Sequence, residues 1–254
     1  MHKFFAKTLF LGKKAIFLPE CHSTNDELAY LIKNGEDQEG FVVYTDHQKS
    51  GRGQRGNIWL DDPGKDAIFS LLLRPDFLLP SEQFLLNIVI SLGVLETVER
   101  YANKAKIAVK WPNDVLVDGK KICGILIENT MRGSKLEFSI VGIGFNLNKE
   151  NLGQYNATSL SSETGELYNR DHFIEEMLLS IESYFLSLKN GGKSNLKNKY
   201  HEHLFRRFQH AQYRDERGEF EGTIMGVDEV GKLLVKKDDG IHAYGIKEIE
   251  FLNR

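Results

Sequence analysis

Apolar residues recur along this chain at two spacings, and the changes from one to the other mark out its elements. Lys14 to Leu18 is a short apolar run closed by Pro19 and predicts a strand. Ser23-Thr24-Asn25 then offers capping side chains, and Asp26 and Glu27 put acids in a first helical turn. Leu28, Ala29, Leu31 and Ile32 give that helix an apolar face before Asn34-Gly35 stops it. Phe41 to Thr45 reads as a strand, and Ala67 to Leu73 as a central strand, apolar on both faces. Phe84 to Tyr101 carries Leu85, Ile88, Val89, Leu92, Leu95 and Val98 at helical spacing. Ala108 to Trp111 is a strand that ends at Pro112, and Val115 to Val117 turns at Asp118-Gly119 into Lys121 to Glu128 as a hairpin. Leu136 to Gly144 is a further strand, and helices are expected over Phe173 to Leu188 and Leu196 to Phe208. Grouped strands with helices between some of them predict an α+β fold, a mixed β-sheet covered by helices on one face.

From Gln212 the texture changes to short alternating runs separated by tight turns at Asp228–Gly231 and Asp238–Gly240, the pattern of a small β-barrel. The expected division is a first domain over 1–206 and a second over 207–254. At 254 residues, 41% hydrophobic and 27% charged, the composition is that of an ordinary globular protein. A formal charge of −3 argues against a protein built mainly to grip nucleic acid. Cys21 and Cys123 make neither a disulfide framework nor a metal-ligand spacing, and read as buried reduced thiols. No apolar run approaches the roughly 20 residues that cross a bilayer, and the N-terminus lacks a sustained signal-peptide core. A cytoplasmic enzyme fits these bounds.

Four segments carry residue types suited to a phosphate, an adenine or a small polar ligand. In Ser50-Gly51-Arg52-Gly53-Gln54-Arg55-Gly56 the glycines allow close backbone approach, and Arg52 and Arg55 offer planar donor forks; a solvated surface turn has the same composition. Trp59 is either core or a flat surface for adenine. Lys110-Trp111-Pro112-Asn113-Asp114 displays Asn113 and Asp114 at a strand end, as an amide reader and a magnesium carboxylate or as an Asx turn. Lys121 either snorkels outward or becomes a fixed inward charge facing a developing phosphate charge, and Gly124 in the same strand favours something packed over it. Gly142-Ile143-Gly144 with Asn146 suggests a second close-approach site, or a bulge and turn. His201, His203 and His210 read as a solvated helix face.

Taken in order, Ser23-Thr24-Asn25, Gln48, Gly51-Arg52-Gly53, Trp59, Lys110 to Asp114, Lys121 with Gly124 to Glu128, and Gly142-Ile143-Gly144 with Asn146 resemble the biotin protein ligase catalytic domain. Ala157-Thr158-Ser159-Leu160 also fits, so the likeness covers nearly the whole chain. It implies a class II synthetase-like catalytic domain followed by a small SH3-like barrel. It also implies two-step chemistry with ATP and Mg2+, in which biotin becomes biotinyl-5′-AMP and passes to a lysine of a biotin carboxyl carrier domain of a carboxylase or decarboxylase. By residue, the resemblance puts Ser23, Thr24, Asn25, Gln48, Gly51, Arg52, Lys121 and Gly124 around biotin. Arg52, Arg55, Trp59, Asn113, Lys121 and Asn146 fall around the adenylate, Lys121 and Arg52 act in catalysis, and Asp114 is the candidate metal carboxylate.

Two departures matter. Many members carry a second arginine directly after Gly-Arg-Gly, where this chain has Gln54, which predicts looser retention of the adenylate. About twenty residues precede Ser23, too few for a helix-turn-helix. The expectation is therefore a monofunctional ligase, monomer or homodimer, without DNA or membrane as partners. Lipoate ligases and octanoyltransferases, a regulator that binds biotinyl-AMP, and a silent binding protein are the competing readings.

Overall fold

The computed structural model describes residues 2–252 other than 4, 6, 151, 153 and 154, with the backbone alone for His2, Lys3 and Arg55. The first part of the chain gives β1 (His2–Lys3), β2 (Ala15–Cys21), α1 (Thr24–Lys33), β3 (Val42–Gln48), β4 (Ala67–Leu73) and α2 (Phe84–Tyr101). There follow β5 (Ile107–Lys110), β6 (Asp114–Val117), β7 (Lys120–Arg132), β8 (Lys135–Phe145), α3 (Leu160–Thr164), α4 (Arg170–Lys189) and α5 (Lys193–Glu202). These strands form a mixed sheet in the order β1-β2-β3-β4-β8-β7-β6-β5, with β2 parallel to β3 and the other neighbours antiparallel.

Side chains alternate along each strand, so the sheet has two unlike faces. β3 sends Val42 and Tyr44 into the main core with α2 and α4, and Val43 into a smaller cluster with Leu28, Phe41, Leu72 and Ile140. α1 packs over that second face against β3, β4 and β8. The expectation that helices cover one face is thus corrected. α1 shields one end of the second face, and the remainder, towards β7 and β6, is where a ligand could lie. Pro19 does not close β2; it falls beyond the pairing with β1, where a missing N–H costs no ladder bond on that edge.

α2 is apolar nearly all round, and the helical stretch Pro80–Tyr101 is long and apolar enough to cross a membrane by length and composition. Burial of 72% of that window inside the protein shows where its apolar surface is spent. At Gly93 the backbones of α2 and α4 come so close that an added Cβ would lie 2.9 Å from both Ile181 Cα and N.

A second, five-stranded antiparallel sheet is built from β9 (His210–Asp215), β10 (Gly218–Val227), β11 (Leu233–Lys237), β12 (Gly240–Tyr244) and β13 (Glu250–Phe251), in the order β12-β11-β10-β9-β13. It is the small SH3-like unit, filled by Tyr213, Ile224, Leu233 and Val235. The helix expected to reach Phe208 stops at Glu202, because the following backbone pairs with β5 instead. Val109 N–H donates to His203 O at 2.8 Å and Phe205 N–H to Val109 O at 2.9 Å. His201 is consequently no solvated side chain: its Nε2 accepts from Val227 N–H at 3.0 Å, and burial, with Arg207 nearby, lowers its pKa.

Backbone atoms cannot yield at the α2–α4 crossing as a flexible side chain would. Gly93→Ala is therefore expected to cost about 2–3 kcal/mol of stability, read as a lower urea midpoint with an unchanged slope.

Candidate active site

Three glycines strip the side chains from a patch of the second face. Gly124 on β7 pairs directly with Gly144 on β8, and Leu126 pairs with Gly142. Other groups use the vacated layer. A Cβ on Gly144 would lie 2.4 Å from Trp59 Cε2, and one on Gly142 would lie 2.4 Å from Asn25 Oδ1. The indole of Trp59 and the amide of Asn25 thus lie on glycine backbone, and both line a cavity of about 410 Å³.

Lys121 reaches the same face through an irregularity. In a regular strand, residues three apart point to opposite faces. Between β6 and β7 the register slips, with Val115 opposite Cys123 but Leu116 opposite Lys121, so Ile122 is an extra residue. Ile122 and Cys123 both enter the core, and Lys121 arrives beside Gly124, its Nζ 3.2 Å from the position a Gly124 Cβ would take. Lys121 Nζ stands 2.7 Å from Asp114 Oδ1 and 5.7 Å from the Trp59 ring centre. It points inward.

The polar end is set by α1 and its neighbours. Thr24 donates to Gln48 Oε1 from its N–H at 2.8 Å and from its hydroxyl at 3.2 Å. The Ser70 hydroxyl lies 2.7 Å from Thr24 Oγ1 and 2.6 Å from Asn25 Oδ1. Asn25 Nδ2 donates to Glu128 Oε2 at 2.7 Å. Arg52 grips Glu128 with both Nη atoms at 3.1 Å and Asp26 with Nη2 at 2.6 Å.

Ser23, Thr24, Asn25, Gln48, Arg52, Trp59, Asn113, Asp114, Lys121 and Gly124 all line this one cavity. Two of the residues expected from sequence do not. Gly51 is buried behind it, where a Cβ would meet Trp59 O at 2.5 Å. Asn146 is buried, and its Nδ2 donates to Thr158 O at 2.9 Å, so it braces the strand end instead of facing the cavity. The Arg55 side chain lies outside the described residues, although its backbone sits in the short turn Gln54–Gly56. Asp114 is spent on Lys121, and among the described residues no cluster of three or more His, Cys, Asp or Glu side chains could hold a metal ion.

Sequence reasoning missed part of the wall. Ile246, Lys247, Ile249, Glu250 and Phe251, from the end of the second sheet, close one side. Lys110 stands next to them with its Nζ 5.1 Å from the Phe251 ring centre, and burial lowers its pKa although Asp114 opposes the shift. The missed signal for Lys110 was its place at the head of a block already read as functional.

The segment after Trp59 is pinned from below. Lys149 Nζ donates to Leu60 O at 2.6 Å and lies 3.3 Å from Asp66 Oδ2, which also accepts from Asp62 N–H at 2.9 Å. Burial pushes the Asp66 carboxyl up from 3.8 to about 6, against the pull of Lys149.

Residues 18–146 match the biotin/lipoate A/B protein ligase family. The chain belongs to that family, and within it to the biotin protein ligases. It is 30% identical over 254 residues to the bifunctional ligase/repressor BirA of Bacillus subtilis, covering 98% of this chain and 77% of that one. It is 28% identical over 242 residues to the biotin–(acetyl-CoA-carboxylase) ligase of Paracoccus denitrificans, covering 92% of this chain and 99% of that one. In three dimensions it resembles the Aquifex aeolicus biotin protein ligase solved with biotin and ATP, with a TM-score of 0.79, 27% identity, and coverage of 94% of this chain and 99% of that chain.

The raised Asp66 pKa has a definite sign. The fold favours the protonated form, so this group's contribution to stability is present below about pH 4 and is lost as pH rises through about 6. Asp66→Asn should remove that loss. The fall in urea midpoint between about pH 4.5 and pH 7.5 is expected to be smaller in the variant than in the natural protein.

Proposed function

We propose that this protein activates biotin with ATP and transfers it to one lysine of a biotin carboxyl carrier domain. The observation that carries the reading is the one cavity in which an inward lysine, an indole seated on glycine backbone and a polar end meet. Thr24 and Gln48, hydrogen-bonded to each other, and Ser23 beside them on the cavity wall offer hydroxyl and amide groups suited to a ureido ring. Gly124 and Gly144 let the Trp59 indole and the Lys121 ammonium lie close to the backbone, and Trp59 and Asn113 stand on the side assigned to the adenylate.

In the first half-reaction a biotin carboxylate oxygen attacks the α-phosphorus of MgATP. The bond to the pyrophosphate oxygen breaks, leaving biotinyl-5′-AMP. Lys121 carries a fixed positive charge to the place where negative charge gathers, and Asp114 holds it there at no cost in reorganisation. Arg52 faces the same phosphate. In the second half-reaction the acceptor ε-amine attacks the carbonyl of the mixed anhydride. An amide forms, the amine loses its proton, and AMP leaves. Walls from both sheets keep water from the anhydride between the two steps. A cytoplasmic setting belongs to this proposal, supported by two free, buried thiols.

The test is ATP- and magnesium-dependent transfer of biotin to an apo biotin-carrier domain, with lipoate as control. Biotin alone is expected to be transferred, and Lys121→Ala should lower the rate by about a hundredfold or more. Transfer of lipoate in place of biotin would overturn the cofactor assignment. Gln54, which lines the cavity between Arg52 and Asn57, supports a second expectation. Gln54→Arg should slow escape of biotinyl-AMP several-fold, by about 1 kcal/mol for one added charge-assisted contact. Equal release rates would remove Gln54 from the account.

A further inference from the structure

We propose that Lys110 is a further phosphate-binding cation of the cavity and receives the pyrophosphate that leaves in the first half-reaction. The inference rests on the cavity being a biotin and ATP site, and it gives a role to a residue that the reaction above leaves idle.

Lys110 stands at the end of a row. Cross-strand partners share a face of a sheet, and one line of them runs Lys110 opposite Asp114, Asp114 opposite Gly124, Gly124 opposite Gly144 and Gly144 opposite Ile68. Val109 before it points into the main core, so Lys110 points to the other face, where it lines the cavity. The polar end, with Gln48 on β3, lies across the sheet from it, and Lys121 on β7 falls between the two. Phosphoryl transfer needs the attacking and leaving oxygens roughly in line through phosphorus. A carboxylate that arrives from the Gln48 side and meets the α-phosphate at Lys121 therefore expels pyrophosphate towards β5. Lys110 is the cation that β5 places there.

Its charge is unanswered within the protein. Asp114 is bound to Lys121 at 2.7 Å, and Arg52 holds Glu128 and Asp26. Among the described residues Lys110 Nζ makes no hydrogen bond or ion pair, and the Phe251 ring centre lies 5.1 Å away. Burial pushes its pKa down; Asp114 and Glu250 pull it up, and Lys121 and Arg206 push it further down. A cation held partly out of water without a counter-anion costs free energy, and an arriving pyrophosphate oxygen offsets that cost. As the carboxylate oxygen bonds to the α-phosphorus, the electron pair of the breaking bond passes to the pyrophosphate oxygen. The Lys110 ammonium donates a charge-assisted hydrogen bond to that group, and no proton changes hands.

The measurement compares two reactions of purified biotinyl-5′-AMP. One is pyrophosphorolysis to ATP with subsaturating magnesium pyrophosphate; the other is transfer to an apo biotin-carrier domain, which involves no pyrophosphate. Lys110→Met and Lys110→Gln should each lower the first rate relative to the second by about tenfold or more, the weight of one hydrogen bond to a charged group. Lys110→Arg, which keeps the charge, should stay within about threefold of the natural ratio. An unchanged ratio in both uncharged variants, equal loss of the two reactions included, would overturn the assignment. So would selective loss of transfer, which would put Lys110 against the acceptor domain. A natural protein that uses biotinyl-AMP in neither reaction would overturn the functional reading instead.

Discussion

The close approach of ligand-sized groups to bare backbone is the constraint on which the rest of this structure depends. A sheet face normally carries a layer of side chains, and that layer holds a ligand away from the strands. Pairing Gly124 with Gly144 and placing Gly142 one step along removes the layer over a patch of β7 and β8. Glycine in a strand weakens it, since it adds backbone entropy and packs nothing. Here the loss is offset by position: the patch lies in the middle of the sheet, with the apolar α2–α4 core on its other face. Flanking residues Val141, Ile143, Cys123 and Ile125 anchor the same strands into that core. Rigidity comes from one face, and the other seats Trp59 and Asn25 against the backbone beside the cavity.

Charge is arranged with similar economy. Lys121 is paired with Asp114, and Arg52 with Glu128 and Asp26. Without ligand, these cations are held by carboxylates of the protein and are not left to collapse onto the floor. Ion pairs of this partly exposed kind contribute little to stability, so their role is orientation.

Much of this was legible in the chain. The spacing of Phe84 to Tyr101 matches α2 end for end, and Ala67 to Leu73 matches β4, because long periodic runs leave few alternatives. The segments read as chemical do converge on one cavity. What could not be read is tertiary in origin. The extra residue at Ile122 reverses the face on which Lys121 points, and no local signal distinguishes it from a regular strand. The end of α5 is fixed by pairing with β5, not by its own sequence. Asn146 and Gly51 carry residue types suited to ligand contact but act one layer behind it. The roles of Ser70, Lys149 and Asp66 depend on partners 45 or more residues away in the chain.

The cavity wall at Ile246 to Phe251 has a consequence for the order in which the protein comes into being. Every other part of the cavity precedes it in the chain. As the polypeptide leaves the ribosome, the eight-stranded sheet can assemble and present its glycine floor while this wall is still being made. Domains fold largely as units during synthesis, so the floor waits for the second sheet to dock. The site is completed by nearly the last residues described, and a chain interrupted before them would own the chemistry but not the enclosure.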